Sequence, residues 1–173
     1  MDLRARIRDI RDFPRAGIVF KDITPLLADA EALDAAVRSL AELARPLEPE
    51  VVIGAEARGF LLGTAVAREL GCGFVLARKP GKLPYETVRA EYLLEYGTDA
   101  LELHTDAVAH GARVLVHDDL LATGGTARAL CDLVEQLGGT VVGCAFLLEL
   151  AFLDGRARLA GRDVRSLISY EAQ

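Results

Sequence analysis

Short runs of consecutive apolar residues alternate with longer segments whose apolar positions recur every three to four residues. No other feature constrains the chain as tightly. The runs "VVIG" (51–54), "GFVLAR" (73–78), "RVLVH" (113–117), "TVVGCAFLLEL" (140–150) and "VRSLISY" (164–170) have strand length, and most lack the outward polar positions of a half-solvated sheet. Between them, residues 30–44, 58–71 and 124–137 carry helical spacing, the second ending at Gly71. Strands that are apolar on both faces need cover on both. Helices inserted between parallel strands supply it. The expected fold class is α/β, a central and mostly parallel sheet flanked by helices, in a single domain over residues 1–173.

The remaining segments are less regular. "MDLRARIRDIRDF" places Leu3, Ile7 and Ile10 at helical spacing and predicts a short first helix. "DFPRAGIVFKDITPLL" is broken by Pro14, Gly17 and Pro25 around an apolar centre. Residues 79–91, "KPGKLPYETVRAE", are polar with two prolines and read as a long loop, followed by two short extended pieces, "YLLEYG" and "ALELH". The net charge of −6 argues against a general nucleic-acid or anionic-membrane surface. No apolar run approaches the roughly 20 residues of a membrane span, and the N-terminus lacks the apolar core of a signal peptide. A cytoplasmic protein is expected. Cys72, Cys131 and Cys144 have neither disulfide nor zinc spacing and are expected as buried, reduced thiols.

One stretch carries chemistry: "VLVHDDLLATGGTARAL", residues 114–130. Ligands of open parallel sheets sit at the carboxyl ends of the strands. Asp118 and Asp119 follow such a strand, and Ala122, Thr123, Gly124, Gly125 and Thr126 then lead into a helix. Their closely spaced N–H groups and two hydroxyls make an anion nest strengthened by the helix dipole. The loop lacks the Gly-Lys-Ser/Thr ending of a nucleoside-triphosphate loop. Two carboxylates beside a phosphate nest make sense if the ligand also presents hydroxyls. A ribose 5-phosphate would place its phosphate in the loop and its neighbouring hydroxyls on the acids, which are acceptor-only groups. Taken alone, an Asp here is equally an ordinary acidic helix cap.

This stretch resembles the phosphoribosyl-pyrophosphate (PRPP) signature of the type I phosphoribosyltransferases. "DFPRAGIVFKDITPLL", "GAEARGFLLG", "ARKPGKLP", "LEYG" and "LLEL" resemble the adenine-using branch of that family. The resemblance implies the type I fold with a small N-terminal hood, residues 1–30 contributing to it over the base site. It also implies purine salvage: adenine and PRPP give AMP and pyrophosphate. His117 departs from it, since the family usually has an aliphatic residue there. His104, His110 and His117 show no metal or triad spacing and are read as structural or surface residues.

The resemblance assigns further roles. Pyrophosphate is expected against Glu56, Ala57 and Arg58, often through an unusual peptide geometry, and against Arg78, Lys79 and Lys82 at the start of a mobile lid. Arg78 would reach a neighbouring subunit, so a homodimer is expected. Magnesium is implied as a cofactor held by substrate oxygens and water rather than by a protein cage. Phe20 and Leu150 would sandwich the base, with the backbone of Lys21 reading its edge. Glu95 matches the acid–base residue. Each also has a plainer reading: Arg58 as a solvated first-turn arginine, Phe20 and Leu150 as core, Glu95 as a strand-end glutamate. Rival enzymes acting on hypoxanthine or guanine carry a carboxylate where this chain has Ala122. Xanthine-type enzymes tolerate Ala there, and a purine-responsive regulator on the same fold is the rival from another class.

Overall fold

A computed structural model of the chain describes residues 1–93 and 97–173. The chain opens with a single 3-10 turn, Arg4–Arg6, and an antiparallel hairpin of β1 (Arg8–Arg11) and β2 (Val19–Asp22). Helices α1 (Thr24–Ala28) and α2 (Ala30–Ala44) follow. Then come β3 (Val51–Ala55), α3 (Arg58–Leu70), β4 (Gly73–Ala77) and a second antiparallel hairpin, β5 (Thr87–Leu93) with β6 (Thr98–His104). Strand β7 (Arg113–Leu121), α4 (Gly125–Gln136), β8 (Thr140–Leu150), a 3-10 turn Gly155–Leu159 and β9 (Val164–Tyr170) complete the chain.

Five strands form one parallel sheet in the order β4-β3-β7-β8-β9. Its central strands β3, β7 and β8 are buried on both faces along most of their length, as their composition requires. Val52, Leu115 and Ala145 pack with Ala44 of α2 and Ala67 of α3, while Ile53, Val116 and Phe146 pack with Leu130 and Val134 of α4. The β5–β6 hairpin also covers the α4 face, through the buried Leu101 and Leu103. Truncating a fully buried ring such as Phe146 to alanine should cost about 3–5 kcal/mol.

Several expectations are corrected. The first helix is a single turn, after which residues 8–11 are strand. Here pairing overrides helical spacing: facing Arg8 and Asp22 form an ion pair at 2.6 Å, and facing Asp9 and Lys21 another at 2.8 Å. The long loop over 79–91 is shorter than expected, because from Thr87 onward the chain is strand. Val88, Ala90 and Tyr92 face the core while Arg89 and Glu91 face solvent, a period of two hidden by the polar outward side. Strand β7 also runs four residues past 113–117, because the long β8 keeps pairing with it as far as Leu121↔Glu149. Asp118 and Asp119 therefore stand inside the central strand, close to its carboxyl end.

All three cysteines are free; Cys131 and Cys144 are buried, whereas Cys72 is only half-buried. Among the described residues no helix is long and apolar enough to cross a membrane.

Candidate active site

The carboxyl ends of β3 and β7 lie side by side in the sheet, Gly54 facing His117. At the end of β3 the chain turns through Glu56 and Ala57, whose peptide bond is cis, into α3. Two glycines permit that tight turn. A methyl group on Gly54 would stand 2.7 Å from the Gly59 carbonyl oxygen, and one on Gly59 would stand 3.1 Å from Asp118 Oδ1. The first turn of α3 is thereby drawn against the acidic pair.

Asp118 Oδ1 accepts the Asp119 backbone N–H at 2.9 Å, and Arg58 Nε lies 3.3 Å from Asp119 Oδ2. Burial pushes the Asp118 carboxyl well above the usual carboxylate range, and the neighbouring Asp119 charge adds to it. Burial also raises Asp119, against the opposing pull of Arg58. Asp118, Asp119, Glu56, Ala57, Arg58, Lys79 and Thr126 share one cavity of about 210 Å³. The loop Ala122–Thr126 lines a smaller hollow of about 70 Å³ at the N-terminus of α4, with Gly124 in the left-handed conformation at φ 84°. The sequence expectation that these groups meet at one sheet end matches their placement.

The cationic segment is arranged differently from a free clamp. Lys82 Nζ donates to Glu56 Oε2, the Lys79 backbone N–H donates to Glu56 Oε1 at 2.6 Å, and Arg78 Nε stands 3.5 Å from the same oxygen. Burial works to raise the Glu56 carboxyl, yet the Lys82 ammonium and the Lys79 N–H together hold it below its ordinary range. Lys79 Nζ is taken by Asp99 at 2.7 Å, and Asp99 also accepts the Tyr92 hydroxyl at 3.3 Å. Asp99 and Tyr92 are additions that no local pattern announced, since the β5–β6 hairpin brings them in.

Phe20 lines a separate apolar cavity of about 350 Å³ together with Ile10, Phe13, Leu27, Arg58 and Leu61. The N-terminal hairpin and α1 thus wall one side of it, and α3 the other. The Arg58 guanidinium carbon lies 5.6 Å from the centre of the Phe20 ring, so one side chain borders both cavities. Leu150, at the end of β8, is not among the residues lining this cavity. The Lys21 side chain is buried against Asp9 and over the Tyr170 ring at 4.3 Å, which leaves only its backbone for a ligand. Glu95 lies outside the described residues. His117 is fully buried; its Nδ1–H donates to the Ala145 carbonyl at 2.9 Å. Among the described residues, no group of three His, Cys, Asp or Glu side chains could hold a metal ion.

A parallel sheet whose central strand ends in two aspartates and a glycine-rich helix entry defines a phosphoribosyl transferase domain, and the family model of that description matches residues 25–166. The chain belongs to the adenine phosphoribosyltransferase family. It is 62% identical over 169 residues to the adenine phosphoribosyltransferase of Rubrobacter xylanophilus, covering 97% of this chain and 91% of that one. The crystal structure of the enzyme of that name from Thermoanaerobacter pseudethanolicus superposes with a TM-score of 0.96 at 54% identity, over 98% of each chain. The Saccharomyces cerevisiae enzyme, solved with an imino-altritol bisphosphate and adenine, matches at a TM-score of 0.90 and 36% identity over 96% of each chain.

Proposed function

We propose that this chain transfers the phosphoribosyl group of PRPP to adenine, giving AMP and pyrophosphate, with Asp118 and Asp119 on the ribose hydroxyls and Ala122, Thr123, Gly124, Gly125 and Thr126 around the 5-phosphate. The observation that carries this reading is the shared cavity joining Asp118, Asp119 and Thr126 to Glu56, Ala57 and Arg58. It is an acceptor pair for hydroxyls between two anion sites. The backbone of Glu56–Ala57 and the Arg58 guanidinium receive the pyrophosphate. Arg78, Lys79 and Lys82 join them as the lid closes and excludes water.

As the bond from the sugar to pyrophosphate loosens, the ring gains positive charge. The two carboxylates favour that charge, and the cationic loops favour the departing anion. The base nitrogen attacks from the opposite face, with inversion. Phe20 stacks on the base and the Lys21 backbone reads its edge, while Glu95 manages its proton. Magnesium, when bound, neutralises pyrophosphate charge. The donor set fits an ion carried on substrate oxygens and water, because the cavity offers an aspartate pair rather than a cage. A homodimer is proposed with it: β4 is an edge strand, leaving Leu76 exposed and Arg78 at the rim where a second copy can be reached. A cytoplasmic location completes the reading. Labelled adenine with PRPP and magnesium should yield labelled AMP and stoichiometric pyrophosphate; binding without turnover would identify a sensor instead.

A further inference from the structure

The loop Ala122–Thr126 contains no charged residue, and its neighbours in the sheet are the two aspartates. A phosphate dianion placed there meets backbone N–H groups and two hydroxyls, and no charged side chain lines the hollow itself. The 3-10 turn Gly155–Leu159, which follows β8, is packed directly on this loop. A methyl on Gly155 would stand 2.3 Å from the Ala122 carbonyl oxygen, and a methyl on Gly124 would stand 2.5 Å from the Gly155 carbonyl oxygen. Both positions must be glycine for the two segments to touch, and the buried Leu159 anchors the far end of the turn.

Two arginines sit on that turn, and they differ in what they touch. Arg156 is consumed: its Nε and Nη2 hold the buried Glu149 at 2.6 and 2.7 Å, and its Nη1 donates to the Val164 carbonyl. Arg158 is exposed and, among the described residues, has no ion pair or hydrogen bond from its guanidinium. Its Nη1 lies 3.4 Å from where a Gly125 methyl would be, and its Cβ 3.2 Å from where a Gly124 methyl would be. An unpaired guanidinium thus rests on the two glycines of the nest.

We infer that Arg158 is a phosphate-binding residue for the ribose 5-phosphate group, supplying the charge that the loop itself lacks. The planar fork suits two phosphate oxygens at once, which a backbone nest alone does not offer. The inference rests on the reading of Ala122–Thr126 as the phosphate site. It further implies that the turn 155–159 is shaped to deliver this one side chain.

Calorimetric titration of AMP and adenosine into the wild-type chain, Arg158→Gln and Arg158→Lys tests both layers separately. The wild type should prefer AMP over adenosine. If it does not, the loop is not the phosphate site and the underlying reading fails. With that preference in place, Arg158→Gln should lose tenfold or more in AMP affinity and leave adenosine affinity unchanged, and Arg158→Lys, which keeps the charge but not the fork, should recover only part of the loss. An AMP-to-adenosine ratio in Arg158→Gln equal to that of the wild type would overturn the role of Arg158. Equal weakening of AMP and adenosine would likewise show that Arg158 supports the fold of the loop and not the phosphate, and would overturn its role.

Discussion

Arg58 places its Nε 3.3 Å from the Asp119 carboxylate, which is almost wholly buried, while the arginine itself stays half-exposed. The pair links the first turn of α3 to the end of β7. It also explains why Asp119 is raised less forcefully than Asp118, whose neighbour is another carboxylate. Burial of both acids thus works against ionising the pair together.

Replacing both Asp118 and Asp119 by Asn should therefore have opposite effects on binding and stability. PRPP affinity should fall by about 1.5 kcal/mol or more, the scale of a charged hydrogen bond and roughly tenfold in Kd. Stability near neutral pH should rise. A carboxyl whose pKa is raised by folding disfavours the folded state once both states are ionised, and Asn removes that penalty. Titration calorimetry and urea unfolding check the two halves; unchanged PRPP affinity would remove the acids from the ribose site.

Glu56 pairs with both Lys82 and Arg78, so if these two cations take pyrophosphate as proposed, the ligand must compete with this carboxylate. Glu56→Gln should tighten pyrophosphate binding several-fold, and lower kcat if release becomes slow. Weaker binding in this variant would mean that Glu56 only braces the turn.

His117 gives a pH signature. Burial holds its imidazole at about 4 in the fold, against 6.5 when solvated. Above pH 6.5 both states are neutral and His117 is silent. As pH falls from 6.5 toward 4 only the unfolded chain takes up the proton, so stability drops, by about 3 kcal/mol across the window. Asp118 and Asp119 titrate with the opposite sign, and comparison with His117→Val isolates the histidine. Urea midpoints that fall equally in both proteins between pH 6.5 and 4 would contradict this assignment.

Elements bounded by breakers and uniform in period were legible in the sequence. Residues 30–44, 140–150 and 164–170 form α2, β8 and β9 over the expected spans, because burial on one stripe or two faces leaves a local pattern. Strands β1 and β5 were not legible, since their conformation is decided by partners eleven or so residues away. The acidic pair and glycine loop announced themselves as contiguous residues. Asp99 at Lys79 and Arg158 at Gly125 did not, because only the folded sheet brings them there. Leu150 was placed at the base by resemblance alone, and the apolar cavity around Phe20 does not include it.

The central claim is a base preference. Ala122 supplies no carboxylate to serve keto purines, and in the proposed base site the backbone of Lys21, next in the chain to the cavity-lining Phe20, meets the exocyclic amine. Exchanging that amine for a keto oxygen turns a donor into an acceptor opposite a backbone carbonyl, a loss of about 3 kcal/mol, or on the order of a hundredfold in rate. The direct measurement is a competition assay with adenine, hypoxanthine, guanine and xanthine, PRPP and magnesium, following pyrophosphate release and each nucleotide formed. Adenine should lead the others in kcat/KM by about a hundredfold or more. Hypoxanthine or xanthine used as well as adenine would contradict the adenine assignment and leave only a phosphoribosyltransferase of other base specificity.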